Sequence, residues 1–106
     1  MEMEGLMDTK KRILVIIKTD VAPEMEENFN RWYDEEHIPG LLRVPGVKSA
    51  RRGIHLGAGQ KYIAVYEHES AEVQHSQAYK DVLGTDWSRR VRPHLKNFSR
   101  ETYEIL

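Results

Sequence analysis

The chain has 106 residues, 40% of them hydrophobic and 31% charged, a length that fits one domain and a composition that argues against disorder. Its formal net charge of −1 gives the whole molecule no strong attraction for nucleic acid or anionic membrane, and the lack of cysteine excludes disulfides, thiolate nucleophiles and cysteine-bound metal clusters. The longest apolar run, Ile13 to Ile17, is far too short to span a bilayer, and the Met-Glu-Met-Glu start lacks the basic and apolar stretches of a secretory signal, so the expected location is cytoplasmic.

Residues 1–10 are polar and aperiodic and read as a loose tail before a single domain over 11–106. Arg12 to Lys18 is a β-branched run bounded by charges, the pattern of a strand covered on both faces. Pro23 suits a first helical position, and Glu24, Glu26 and Glu27 suit the positive end of a helix dipole. That helix is expected to reach about His37, where Pro39-Gly40 interrupts it; Leu41-Leu42 form a further short turn before Pro45-Gly46. Val47 to Leu56 and Lys61 to Glu67 read as a hairpin about the Gly57–Gln60 turn. Ser70 caps a second helix over Ala71–Leu83, closed by Gly84. Thr85 caps a short third helix, Asp86–Arg92, and Asn97–Ile105 is the last strand. The order is βαββαβ, which predicts an α+β, ferredoxin-like sandwich.

Two helices cover only one face of such a sheet. Strand one nevertheless carries Ile13, Val15 and Ile17 on one face and Leu14 and Ile16 on the other, and strand three carries Ile63 and Val65 opposite Tyr62, Ala64 and Tyr66. An uncovered apolar face asks for a partner, and a second copy of the chain would close the two sheets into a dimeric α/β barrel.

On the first helix Met25, Phe29 and Trp32 form an apolar stripe with Tyr33 at its edge, and Glu36 falls in its middle. A carboxylate there either pairs, reaches solvent or has a raised pKa suited to proton transfer. His37 follows, with Tyr33 and Asp34 within one turn; a carboxylate behind a histidine can fix its tautomer. The alternatives are a solvated Glu36 and a histidine placed by the helix dipole. Arg51 and Arg52 point to opposite sides of strand two. On the second helix Ala71, His75, Ala78 and Val82 make an apolar stripe, and Tyr62 and Tyr66 share a strand face whose hydroxyls could line a pocket. The five histidines show no metal-ligand spacing, so no metal is expected. Arg89, Arg90, Arg92 and Lys96 form a basic patch near Trp87 and His94 that could meet an acidic ligand, its simplest reading being a solvated face.

Trp32-Tyr33-Asp34-Glu35-Glu36-His37-Ile38-Pro39, followed by Leu42, Pro45-Gly46-Val47, Ala50 and Arg52, resembles the W-Y-D-x-E-H-x-P…L-x-x-P-G-[FV]-x-x-A-x-R signature of EthD-like proteins in the dimeric α/β-barrel superfamily. The resemblance implies the same fold and a homodimer. It also implies a role near those of its cofactor-free monooxygenases, lactone isomerases and polyketide cyclases, in degradation of small organic compounds. It favours Arg52 as the strand-two arginine that faces the site. The chain departs from the pattern at Gly53, where many relatives carry an aromatic, a change expected to reshape the pocket.

Two readings follow. In the first, a cofactor-independent enzyme uses Glu36 and His37 for proton transfer on a small organic ligand, with Trp32, Tyr33, Arg52, Tyr66 and His75 around it. In the second, the chain is a non-catalytic ligand-binding or assembly module, and the run from Trp32 to His37 is a structural lock in which Glu36 pairs with Arg52. Haem binding, by analogy with barrel relatives, is a third reading, for which no histidine is placed as an axial ligand. Neither reading of the first pair calls for a cofactor, nucleic acid or membrane.

Overall fold

The computed structural model describes residues 12–106; the tail expected at 1–10 lies outside the described residues. The elements are β1 (Arg12–Val21), a 3-10 turn (Pro23–Met25), α1 (Glu26–Trp32), a π-turn (Tyr33–His37) and α2 (Ile38–Leu42). They continue with β2 (Val47–Ile54), β3 (Tyr62–His68), a 3-10 turn (Ala71–His75), α3 (Gln77–Leu83), α4 (Asp86–Val91), a 3-10 turn (Arg92–His94) and β4 (Leu95–Ile105). All strand pairs are antiparallel, in the order β2-β3-β1-β4. The fold is therefore the expected α+β, ferredoxin-like one.

Alternation along the strands separates the two sheet faces. Ile13, Val15, Ile17 and Thr19 of β1 and Tyr62, Ala64, Tyr66 and His68 of β3 are buried under the helices. Leu14, Ile16, Ile63 and Val65, on the opposite face, are half-buried, and Tyr103 and Ile105 on β4 are exposed. Among the described residues no helix is long and apolar enough to cross a membrane.

Three local features depart from the expected elements. Firstly, the first helix does not stop before Pro39. Proline has no N–H, and its ring would clash with the carbonyl four residues back in an α-helix. Here Ile38 N–H reaches Tyr33 O instead, the wider π-turn spacing, and the helix resumes as α2. Secondly, the second helix is not continuous. Ser76 is extended (φ −74°, ψ 154°) and restarts it, its hydroxyl accepting from Tyr79 N–H. The phase shifts, so Val73 and Tyr79 are buried while Ala71, His75 and Ala78 are exposed. The stripe through His75 does not form. Thirdly, β4 begins at Leu95 and carries a bulge: Lys18 pairs with Ser99 and Asp20 with Lys96, so Asn97 and Phe98 face Thr19 alone. Asn97 takes the left-handed conformation (φ 53°) and donates through Nδ2 to Asp20 Oδ2 at 2.9 Å.

The α2–β2 connection depends on Gly46. Its φ of +94° favours glycine, and a Cβ there would sit 2.5 Å from Val73 Cγ2. Gly46→Ala should therefore lower stability by roughly 1–3 kcal/mol, through backbone strain and overpacking. Urea unfolding checks this; an unchanged midpoint would mean the connection can rearrange freely.

Candidate active site

The π-turn decides where each polar side chain of the Trp32–His37 run goes. A regular helix, at about 100° per residue, would carry His37 past Tyr33. The π-turn advances less per residue and brings the imidazole back between Trp32 and Tyr33. It stacks on Trp32 (4.3 Å between centroids, 23° between planes) and meets Tyr33 edge-on at 5.2 Å. The same shift turns Glu36 off the stripe towards the start of α4. Its Oε2 accepts a hydrogen bond from the Thr85 hydroxyl at 2.6 Å. Thr85 also caps α4, accepting from Ser88 N–H, and the fully buried Ser88 hydroxyl accepts from Trp32 Nε1–H at 3.1 Å. Glu36 is thus tied to α4, and the pairing with Arg52 expected of a structural lock does not form.

Arg52 finds other partners. Its guanidinium donates to Asp34 Oδ1 at 3.0 Å and Asn30 Oδ1 at 2.6 Å, and lies 4.5 Å from the Tyr33 ring centroid, with Phe29 and Tyr62 also in range. It binds β2 to the helix on the covered face, and Arg51 is exposed on the other. Gly53 alternates with Arg52 and so belongs to the open face, though it also borders a concavity with Asn30, Arg52 and Tyr62. Tyr62 is committed too: its hydroxyl donates to Glu26 Oε2 and accepts from Asn30 Nδ2. Asp34 holds Arg52, and Glu35 pairs with Arg31 on the surface. Every residue from Trp32 to Glu36 therefore has a structural partner.

His37 differs. It is 6% exposed, and its Nδ1 is buried with no hydrogen-bond partner among the described residues; the buried Tyr66 hydroxyl interacts with that of Tyr33. His37 and Tyr66 line a cleft of about 40 Å³ between the helix and the sheet, beside Tyr33, Tyr79 and Arg100. The cleft runs outward past Phe98 and Leu95 to a shallow concavity of about 450 Å³ bordered by Arg89, Arg92 and Pro93. Burial, reinforced by the charges of Arg92 and Arg100, pushes the His37 imidazole down to about 3. It is neutral at physiological pH and can take a proton only where a ligand's negative charge offsets the burial and the two arginines that disfavour the imidazolium. Burial pushes the Tyr66 phenol well up, so it stays a neutral donor, and raises Tyr33 likewise. His68, buried on β3 next to Tyr79, is also lowered by burial, and its Nδ1 too lacks a partner.

The structure therefore gathers Trp32, Tyr33, His37 and Tyr66 around one cleft. It places Glu36 at the α4 cap, Arg52 at the helix–sheet seam and His75 in solvent. Sequence reasoning missed Arg100 and Phe98 as cleft residues and placed Arg92 only in a basic surface patch. Arg100 donates to Tyr79 Oη and Gln74 Oε1, each at 3.0 Å. The bulge at Asn97 sets where Phe98 and Arg100 point, and nothing in the local sequence states its position.

No protein-family model and no curated protein matches the sequence. Solved structures match it in fold. A Bordetella bronchiseptica protein described as a candidate antibiotic biosynthesis monooxygenase has a TM-score of 0.67 at 17% identity, over 91% of this chain and 98% of its own. A dimeric ferredoxin-like protein of unknown function from Thermobifida fusca has a TM-score of 0.60 at 14% identity, over 92% and 93%. SnoaB, a cofactor-independent oxygenase from Streptomyces nogalater, has a TM-score of 0.57 at 13% identity, over 87% and 90%.

A buried neutral histidine makes stability depend on pH. The unfolded chain takes up a proton on this ring near 6.5, whereas the folded protein resists it until about 3. Stability is then full above about pH 6.5 and declines as pH falls towards 3. Between neutrality and about pH 5 the His37 contribution to this loss should reach roughly 2 kcal/mol, with His68 adding in the same direction. Thermal unfolding should show a shallower acid decline in His37→Gln than in the parent; parallel curves would mean that His37 is not held neutral.

Proposed function

We propose that the chain is an EthD-like, cofactor-independent enzyme that begins its reaction by removing a proton from a small organic compound. The observation that carries this reading is the buried Nδ1 of His37, unpartnered among the described residues, in a side chain that lines the cleft together with Tyr33 and Tyr66. An unpaired buried polar atom costs about 1–3 kcal/mol, so an imidazole nitrogen left without a protein partner beside a cleft is suited to meeting a ligand. His37 takes the proton from a C–H or O–H next to a carbonyl or aromatic ring. Tyr66 donates a hydrogen bond to the oxygen on which negative charge then develops. Trp32 and Tyr33 hold the imidazole between them, and Arg52 acts one layer further out by fixing Tyr33. Glu36 is a positioning residue that anchors the π-turn to α4. The oxygenase activity described for SnoaB, a neighbour in fold, fits a reaction that starts from a substrate anion.

The commitment of Trp32 to Glu36 to structural contacts favours the second reading, a non-catalytic module. Deuterium exchange separates the two. Small 1,3-dicarbonyl compounds in D₂O should lose their α-protons faster in the presence of the protein. His37→Gln should lower that acceleration at least about 100-fold, the usual weight of a general base. Glu36→Gln, whose amide oxygen can still accept from Thr85, should retain it. Equal exchange with and without His37 would sink the catalytic reading.

We propose further that the functional unit is a cytoplasmic homodimer joined through the open sheet face. Leu14, Ile16, Ile63 and Val65 form an apolar strip there, flanked by Arg12, Arg51, Glu67 and Glu101. A surface with both charge signs around an apolar centre can complement a rotated copy of itself. The Thermobifida fusca neighbour in fold is described as dimeric. Light scattering at micromolar concentration should give twice the 12.4 kDa chain mass, and Val65→Lys should yield the monomer. A parent protein that is monomeric and well folded would overturn the arrangement.

A further inference from the structure

We infer that the ligand of the cleft carries a carboxylate, which Arg92 and Arg100 hold at the mouth while an apolar body lies outward against Phe98 and Leu95. This rests on the reading of the cleft as a ligand site and adds the chemical class of the ligand.

The argument is one of uncompensated charge. Arg12, Arg31 and Arg52 each have a carboxylate partner, Glu67, Glu35 and Asp34 in turn. Among the described residues no carboxylate forms an ion pair with Arg92 or Arg100. Arg92 has only a long bond of 3.4 Å to the Leu83 carbonyl oxygen, and Arg100 bonds to two neutral oxygens, of Gln74 and Tyr79. Both line the cleft, and both act on His37 across it. Glu36, next to His37 in sequence, is turned away to Thr85, and Glu101, next to Arg100, belongs to the other face of the sheet. The remaining polar groups around the cleft are the Tyr33, Tyr66 and Tyr79 phenols and the imidazole, all uncharged. Two cations and no anion in its lining make the cleft electrostatically complementary to a monoanion.

Size assigns the two parts of the ligand. The inner cleft, about 40 Å³, takes a polar group rather than a ring. The outer concavity, about 450 Å³ and bordered by Leu95, Phe98 and Pro93 together with Arg89 and Arg92, has room for a ring. A carboxylate at the junction would lie between the guanidinium groups, with its substituent against Phe98. Guanidinium forks suit the planar carboxylate, and Arg100 is already oriented by Gln74 and Tyr79.

Benzoate, benzamide and inorganic phosphate are the probes, read by the NMR signals of the His37 ring and the Trp32 indole in the full chain. Benzoate should shift both signals and bind at least about tenfold tighter than benzamide, the value of one charge-assisted hydrogen bond. Arg92→Gln and Arg100→Gln, both at exposed positions, should each weaken benzoate by about tenfold and leave benzamide unchanged. Arg100→Lys should recover part of the loss. Equal binding of benzoate and benzamide at these signals would overturn the carboxylate and leave the cleft a ligand site. Insensitivity of benzoate to both arginine variants would also overturn it, as would phosphate binding as tightly as benzoate, since the apolar body would then have no part. Binding of neither organic probe would overturn this inference together with the reading on which it rests.

Discussion

The central constraint on this molecule is a missing hydrogen bond. Pro39 has no N–H to give, yet the helix continues through it to Leu42. The structure meets this by widening one turn, with Ile38 N–H reaching back five residues to Tyr33. Everything on that turn is rotated as a result. His37 enters the cleft, Glu36 leaves it, and Asp34 comes within reach of the sheet. The cleft is a consequence of how the backbone accommodates one proline.

The widened turn is held from two sides. On the sheet side, Arg52 is fixed by Asp34 and Asn30 and lies over the Tyr33 ring, so one side chain ties β2 to the helix by both charge and stacking. On the far side, Glu36, Thr85, Ser88 and Trp32 form a continuous run of hydrogen bonds into the start of α4. Thr85 serves two purposes there, capping α4 and orienting the carboxylate. These ties account for most of the polar groups on the turn. The histidine that remains is held by stacking on Trp32, which fixes the plane of its ring and leaves its Nδ1 unbonded.

The two faces of the sheet carry different burdens. The helix-covered face holds the aromatic core, the unpaired polar atoms and the mouth arginines. Unpaired buried atoms and neutralised imidazoles reduce stability, and such arrangements persist where they serve a site. The open face carries an apolar strip, Leu14, Ile16, Ile63 and Val65, with charged residues of both signs beside it. The bulge at Asn97 belongs to both. It bends the edge strand and sets the direction of Phe98 and Arg100 towards the cleft mouth.

The order of elements was determined by local chemistry and was legible without coordinates: β-branched runs for strands, Pro23 and its acidic followers for a helix start, Thr85 and Ser70 for caps, glycine for turns. The two-faced apolar character of β1 and β3 followed from period-two alternation alone. So did the assignment of Arg51 and Arg52 to opposite faces. Which polar groups meet was decided only in three dimensions, because it depends on helical phase, and phase accumulates over every residue between two points. One wide turn moved Glu36 from Arg52 to Thr85, and one extended residue, Ser76, put His75 in solvent. Arg100 became a cleft residue through a bulge and through long-range pairing with Tyr79 and Gln74. Composition and periodicity record each residue's preference for burial; they do not record the rotations that settle its neighbours.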